Sequence, residues 1–147
     1  MTLPHPQRIG HNSPPGSLLK RVGAVQGTPA ARKPDTDHDA DYLTKVRCCP
    51  CLKCGMEPSE AAHVRMASAA FGKASGLSKK PSDRWAAPLC AQCHRLARDA
   101  QHNRSEQSFW DAIGINPLIC CTELYAQRDD LVAMRAVVFV TIAQRRK

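Results

Sequence analysis

The sequence predicts a small α+β domain stapled by a metal ion, with a disordered tail before it and helices after it. Three observations carry this. Two Cys-x2-Cys pairs, Cys51/Cys54 and Cys90/Cys93, stand 35 residues apart. Two short extended segments lie between them, and the last third of the chain is patterned as helix. At 147 residues there is room for one domain with tails, not for a large two-domain enzyme.

Residues 1–38 hold six of the eleven prolines and few large apolar side chains. Such a stretch buries too little surface to offset its ordering entropy and is expected to be a disordered tail. Its charges nearly cancel, so the net +8 of the chain sits mainly in residues 43–147, with 16 basic and 9 acidic side chains. A basic, aromatic-poor chain favours a polyanionic partner over a sugar-stacking or apolar pocket. Met1 to Lys20 lacks the apolar run of a secretory signal, so the eight cysteines are expected to be reduced thiols. The longest apolar run, Leu131 to Ile142, is broken by Arg135 and too short to span a bilayer, so no membrane partner is expected.

A first short helix is expected from Asp41 through Val46, capped by Asp39 or Asp41 and stopping before Pro50. The turn Cys51–Gly55 follows. Glu60 to Arg65 reads as a strand, Met66 to Asp83 as a long Gly/Ser/Ala/Lys loop, and Ala86 to Leu89 as a second strand. A helix from about Cys90 carries Cys93, His94, Leu96 and Ala97. Residues 39–104 are thus the predicted core, and 105–147 a helical extension. Within it Ser105 caps a helix ended by Gly114, Asn116-Pro117 opens another, and Asp129 or Asp130 opens the last.

Each Cys-x2-Cys pair can present two thiolates to one edge of a metal, and two edges close the tetrahedral S4 set that zinc prefers. Cys51, Cys54, Cys90 and Cys93 are the expected structural zinc ligands. Cys48, Cys49, Cys120 and Cys121 have no such spacing and are assigned to packing or surface. A zinc closed by four thiolates leaves no position for substrate, so chemistry must come from elsewhere. Three histidines stand near the knuckles: His63 on the first strand, His94 directly after Cys93, and His102. Successive helical residues diverge by about 100°, so His94 is expected to face a groove opposite His63, one imidazole ligating a divalent ion and the other acting as base.

The segments Cys51-x2-Cys54, Ala62-His63-Val64, Pro88-Leu89-Cys90-x2-Cys93-His94 and Gln101-His102 resemble the four-cysteine branch of the HNH, or ββα-metal (His-Me finger), endonucleases. Lys80 to Trp85, Ser108-Phe109-Trp110 and Gly114 to Pro117 are similar to phage-associated members of the recombination-enhancement type. The resemblance covers about residues 41–118. It implies metal-assisted hydrolysis of DNA phosphodiesters, with His63 as general base and His94 as ligand of Mg2+ or another divalent cation. It further implies a cytoplasmic protein, nucleoid-associated or phage-encoded in a bacterial host. Two positions depart from the pattern. Ala62 stands where many members carry a metal-binding aspartate, and no asparagine occurs between His63 and Cys90. His102 is the candidate replacement ligand and Asp83 the candidate to orient His63.

Between His63 and Arg104 eight basic residues face two acidic ones. Arg65, Lys73, Lys79, Lys80, Arg84 and Arg95 are the expected contacts to a phosphate backbone, in salt-dependent and weakly sequence-selective binding. Phe109, Trp110 and Ile113 are expected to pack the later helices onto the core. The apolar last helix completes that core or meets a second copy of the chain. Two other functions compete with the nuclease: a catalytically silent zinc module that binds nucleic acid, and an interaction domain using the last helix.

Overall fold

The computed structural model describes residues 38–74 and 80–145. The expected disordered tail, up to residue 37, and Lys79 lie outside the described residues. Among these residues the chain is a small α+β domain of four α-helices and a two-stranded sheet. Helix α1 (Ala40–Arg47) begins where Asp39 accepts the amide of Tyr42 at 2.9 Å, and it buries Tyr42, Leu43 and Val46. Strands β1 (Glu60–His63) and β2 (Ala86–Leu89) pair antiparallel, Glu60 opposite Leu89 and His63 opposite Ala86. The ladder runs on as the amide of Val64 donates to Trp85 at 2.8 Å.

The first cysteine turn is closed by Gly55, whose φ of 74° suits a residue without Cβ and whose amide donates to Cys51. The amide of Leu52 donates to Pro88 at 3.0 Å, tying this knuckle to β2. The second knuckle does not open the regular helix expected from Cys90 through Ala97. It forms one π-helical turn, Gln92–Leu96, and Ala97 is already extended. Asn103 gives the freed carbonyls of Arg95 and Ala97 a partner: its side-chain amide donates to them at 3.2 and 2.7 Å. The chain then folds back through a 3-10 turn, Gln101–Asn103.

Helix α2 (Glu106–Ile113) is capped by Ser105 and ended by Gly114 at φ 68°. Helix α3 (Pro117–Ala126) is capped by Asn116, and α4 (Leu131–Ala143) by Asp130. These helices are not an appendage. One buried cluster runs from Tyr42 through Trp85, Leu89 and Trp110 to Leu124, Met134 and Val138, so residues 105–145 share a core with the knuckles. Tyr42 meets Tyr125 edge to face at 5.0 Å and donates its hydroxyl to Ala86. Only one face of α4 is buried; Val132, Phe139 and Val140 are exposed. Just past its end Arg145 donates to the carbonyls of Leu52 and Lys53 at 2.7 and 2.9 Å, and within it Arg135 donates to the carbonyl of Cys48 and to Glu57. No helix among the described residues is long and apolar enough to cross a membrane.

Candidate metal and catalytic centre

The two knuckles bring Cys51, Cys54, Cys90 and Cys93 together, with all four sulfurs within 4.8 Å of one another. Cys54 Sγ lies 3.5 Å from that of Cys90 and 3.6 Å from that of Cys93. A tetrahedral zinc with Zn–S bonds of 2.3 Å sets its sulfurs about 3.8 Å apart, so the cluster fits a metal ion such as zinc. Crowding is visible in the thiols themselves. Burial and its thiol neighbours push Cys93 well above the usual range, whereas hydrogen bonds from Cys93 and Cys54 outweigh burial and lower Cys90. Of the other cysteines, Cys49, Cys120 and Cys121 are buried and Cys48 is exposed.

His63 ends β1 with its Nε2 2.9 Å from Oδ1 of Asp83. Asp83 heads the short 3-10 turn that enters β2 and is 1% exposed. Burial alone would raise its carboxyl. Hydrogen bonds from Lys80, His63, the Asp39 amide and His38 outweigh that and hold it well below the usual carboxylate range. An ionised carboxylate only accepts, so His63 Nε2 is the donor and Nδ1 carries the free lone pair. Burial, the largest effect on His63, lowers its pKa despite Asp83, so the ring is neutral at pH 7, with 18% of the side chain exposed. Sequence reasoning missed His38. It lay at the end of the proline-rich tail, and nothing in its spacing pointed to Asp83, 45 positions away.

A second imidazole–carboxylate pair lies at the other end of the ladder. His94 Nδ1 is 2.6 Å from Oε2 of Glu60, and Arg95 grips the same carboxylate at 2.7 Å. Arg95 first and His94 second lower the Glu60 pKa to about 2. The break after Leu96 lets the chain return, so the His102 ring meets that of His94 edge to face at 4.5 Å. His102 thus reaches His94 by a broken turn rather than a bent helix. Burial, then the charge of His94, lowers the His102 pKa. Glu60, which the sequence offered only as the start of a strand, holds Nδ1 of His94 and leaves Nε2 as the open ligand atom, the usual way a carboxylate fixes a metal-binding imidazole.

His63 and His94, expected to face one another, are held by different carboxylates. Glu60 and His63 are three residues apart on one strand, so their Cα atoms stand about 10 Å apart. His63 pairs with Asp83 and His94 with Glu60, at opposite ends. Among the described residues, the four cysteines are the one group of three or more His, Cys, Asp or Glu ligand atoms that converge. His94 and His102 are therefore a pair of imidazoles and not a closed cage.

The basic candidates divide. Arg65 is exposed and makes no ion pair among the described residues. Lys80 is bound to Asp83 at 2.9 Å, Arg95 to Glu60, and Arg84 lies over the rings of Trp85 and Tyr125. Lys73 is a correction to the expected phosphate contacts. Its backbone bridges to Ser68, its ammonium lies over Trp85 at 6.0 Å, and at 7% exposure it faces the core. Burial lowers its pKa. Glu106 fixes this side of the site by accepting the amides of Arg65 and Met66 and the side chain of Gln101.

Compared with family models, curated proteins and solved structures, the chain matches none.

Proposed function

We propose that the protein is a metal-dependent DNA endonuclease of the HNH, ββα-metal kind. The observation that carries this reading is the His63–Asp83 pair: a neutral imidazole at a strand end, oriented by a buried carboxylate, with Nδ1 free and part of the ring open to solvent. That is how a general base for water is built. Asp83 fills the orienting role for which the sequence offers no asparagine. It keeps the proton on Nε2, and Nδ1 takes the proton of the attacking water. Cys51, Cys54, Cys90 and Cys93 would hold a zinc that braces the hairpin that carries His63 and the turn that carries His94.

His94 Nε2 and His102 are the residues that would hold a divalent cation, with Glu60 orienting His94. Such a cation supplies charge stabilisation to the phosphate and to the departing 3′ oxygen. Two imidazoles suit Mn2+, Co2+ or Ni2+ better than Mg2+. Arg65 and the outer faces of Lys80, Arg84 and Arg95 offer a phosphate backbone several cations without base reading.

The test is nicking of supercoiled plasmid with Mn2+ or Mg2+, against EDTA and His63→Ala controls. Loss of cutting in both controls is expected. Undiminished cutting by His63→Ala would remove His63 from the mechanism. Two observations favour a second reading, a catalytically silent zinc module that binds nucleic acid. Ala62 occupies the carboxylate position of the resembled motif, and among the described residues no third ligand converges on His94 and His102. Salt-dependent DNA binding without cutting under any divalent metal would establish that reading instead.

A further inference from the structure

The Asp83 carboxylate serves two imidazoles. His38 Nδ1 hydrogen-bonds to Oδ2, and the amide of Asp39 donates to the same oxygen at 3.0 Å. On Oδ1, His63 Nε2 and Lys80 Nζ each stand at 2.9 Å. An ionised carboxylate offers about four lone-pair sites, and four donors occupy them. They arrive from separate stretches of chain: the segment before α1, the end of β1, and the approach to the Asp83 turn.

We propose that His38 is a positioning residue for His63, acting through the far oxygen of Asp83. The inference rests on the reading of His63 as general base. A donor on Oδ2 fixes the plane of the carboxylate, and so the line along which Oδ1 meets His63. It also draws negative charge away from Oδ1, which Lys80 already shares. His63 then feels only part of the attraction that a free aspartate would exert on an imidazolium, and it keeps its lone pair to lower pH. The charged and titratable groups facing His63 are Asp83 and Lys80 from the turn, Arg65 from the strand continuation, and His38 from the segment before α1. A bare strut does not need His38, because the Asp39 amide already ties that segment to Oδ2 while its side chain caps α1.

The experiment uses the full metal-loaded chain and three variants. His38→Ala removes the donor, His38→Gln moves it one carbon outward, and His38→Asn keeps an N–H near the position of Nδ1. Two quantities are read: titration of the His63 ring by NMR, and plasmid nicking against pH. In His38→Ala and His38→Gln both midpoints should rise by roughly half a unit, an about threefold loss of rate on the acid side with little change at high pH. His38→Asn should restore the parental midpoints. A merely structural role would lower the rate at every pH without moving the midpoint. Identical His63 titration in the parent and all folded variants overturns the proposal. If the His63 titration shifts as expected but the parent cuts no DNA, the positioning role stands and the nuclease reading falls.

Discussion

His63 donates its Nε2 proton to Oδ1 of Asp83 over 2.9 Å, which leaves Nδ1 as the only ring nitrogen able to take a proton from water. Replacing Asp83 by Asn keeps the shape but removes the charge that selects this tautomer. Asp83→Asn should lower single-turnover nicking by about a hundredfold or more. Weakening four hydrogen bonds to a buried charge should also cost about 2 kcal/mol or more in denaturant unfolding. Unchanged nicking by a folded Asp83→Asn protein would show that the carboxylate does not orient the base.

The lowered pKa of His63 has a definite sign in stability. Burial keeps the ring neutral in the folded chain below its usual 6.5, where the unfolded chain takes up a proton. The unfolded state then binds more protons, so this contribution is lost as pH falls from 6.5 toward the folded value. Between pH 7.5 and 5.5 the parent should lose more unfolding free energy than His63→Gln, measured by urea titration at each pH. The acid limb of the nicking profile should have its midpoint below 6.5.

Glu60 is expected to matter for metal rather than for fold. Glu60→Gln should weaken Mn2+ binding roughly 10- to 100-fold in calorimetric titration, because His94 loses the acceptor that fixes its ring. His94→Ala and His102→Ala should each weaken it as well. Equal Mn2+ affinity in the parent and all three variants would place the divalent ion elsewhere.

The chain should purify with one zinc per molecule, measured by elemental analysis. Stripping it with a strong chelator should unfold the hairpin, seen as loss of near-ultraviolet dichroism. Cys90→Ser should have the same effect, whereas Cys48→Ser should retain zinc, since that thiol lies outside the sulfur cluster.

Arg65 and Lys73 separate surface from core. Arg65→Ala should weaken DNA binding and reduce the salt slope by about one. Lys73→Met should leave affinity and slope unchanged, because the ammonium faces Trp85 and not solvent. Equal losses in fluorescence anisotropy would contradict that placement.

Much of this architecture was legible in the chain because it is written in local chemistry. Asp39, Ser105, Asn116 and Asp130 each cap the helix they precede, and Gly114 ends the one before it. The sulfur cluster follows from spacing alone. What was not legible depends on distant contacts. The break after Leu96 rests on Asn103 satisfying two carbonyls, which no local propensity encodes. Lys73 looks like any loop lysine until Trp85 is placed beside it. Glu60 and His63 share a strand, and only the distant Asp83 and His94 reveal that they serve different partners.

The grip of Arg145 on the carbonyls of Leu52 and Lys53 spans 93 and 92 positions of sequence. During synthesis the first knuckle emerges long before the residue that steadies it. Capture of a metal ion such as zinc by the sulfurs would thus be separated in time from final rigidity, and trimming the far end of the chain should loosen the metal although no ligand has been touched.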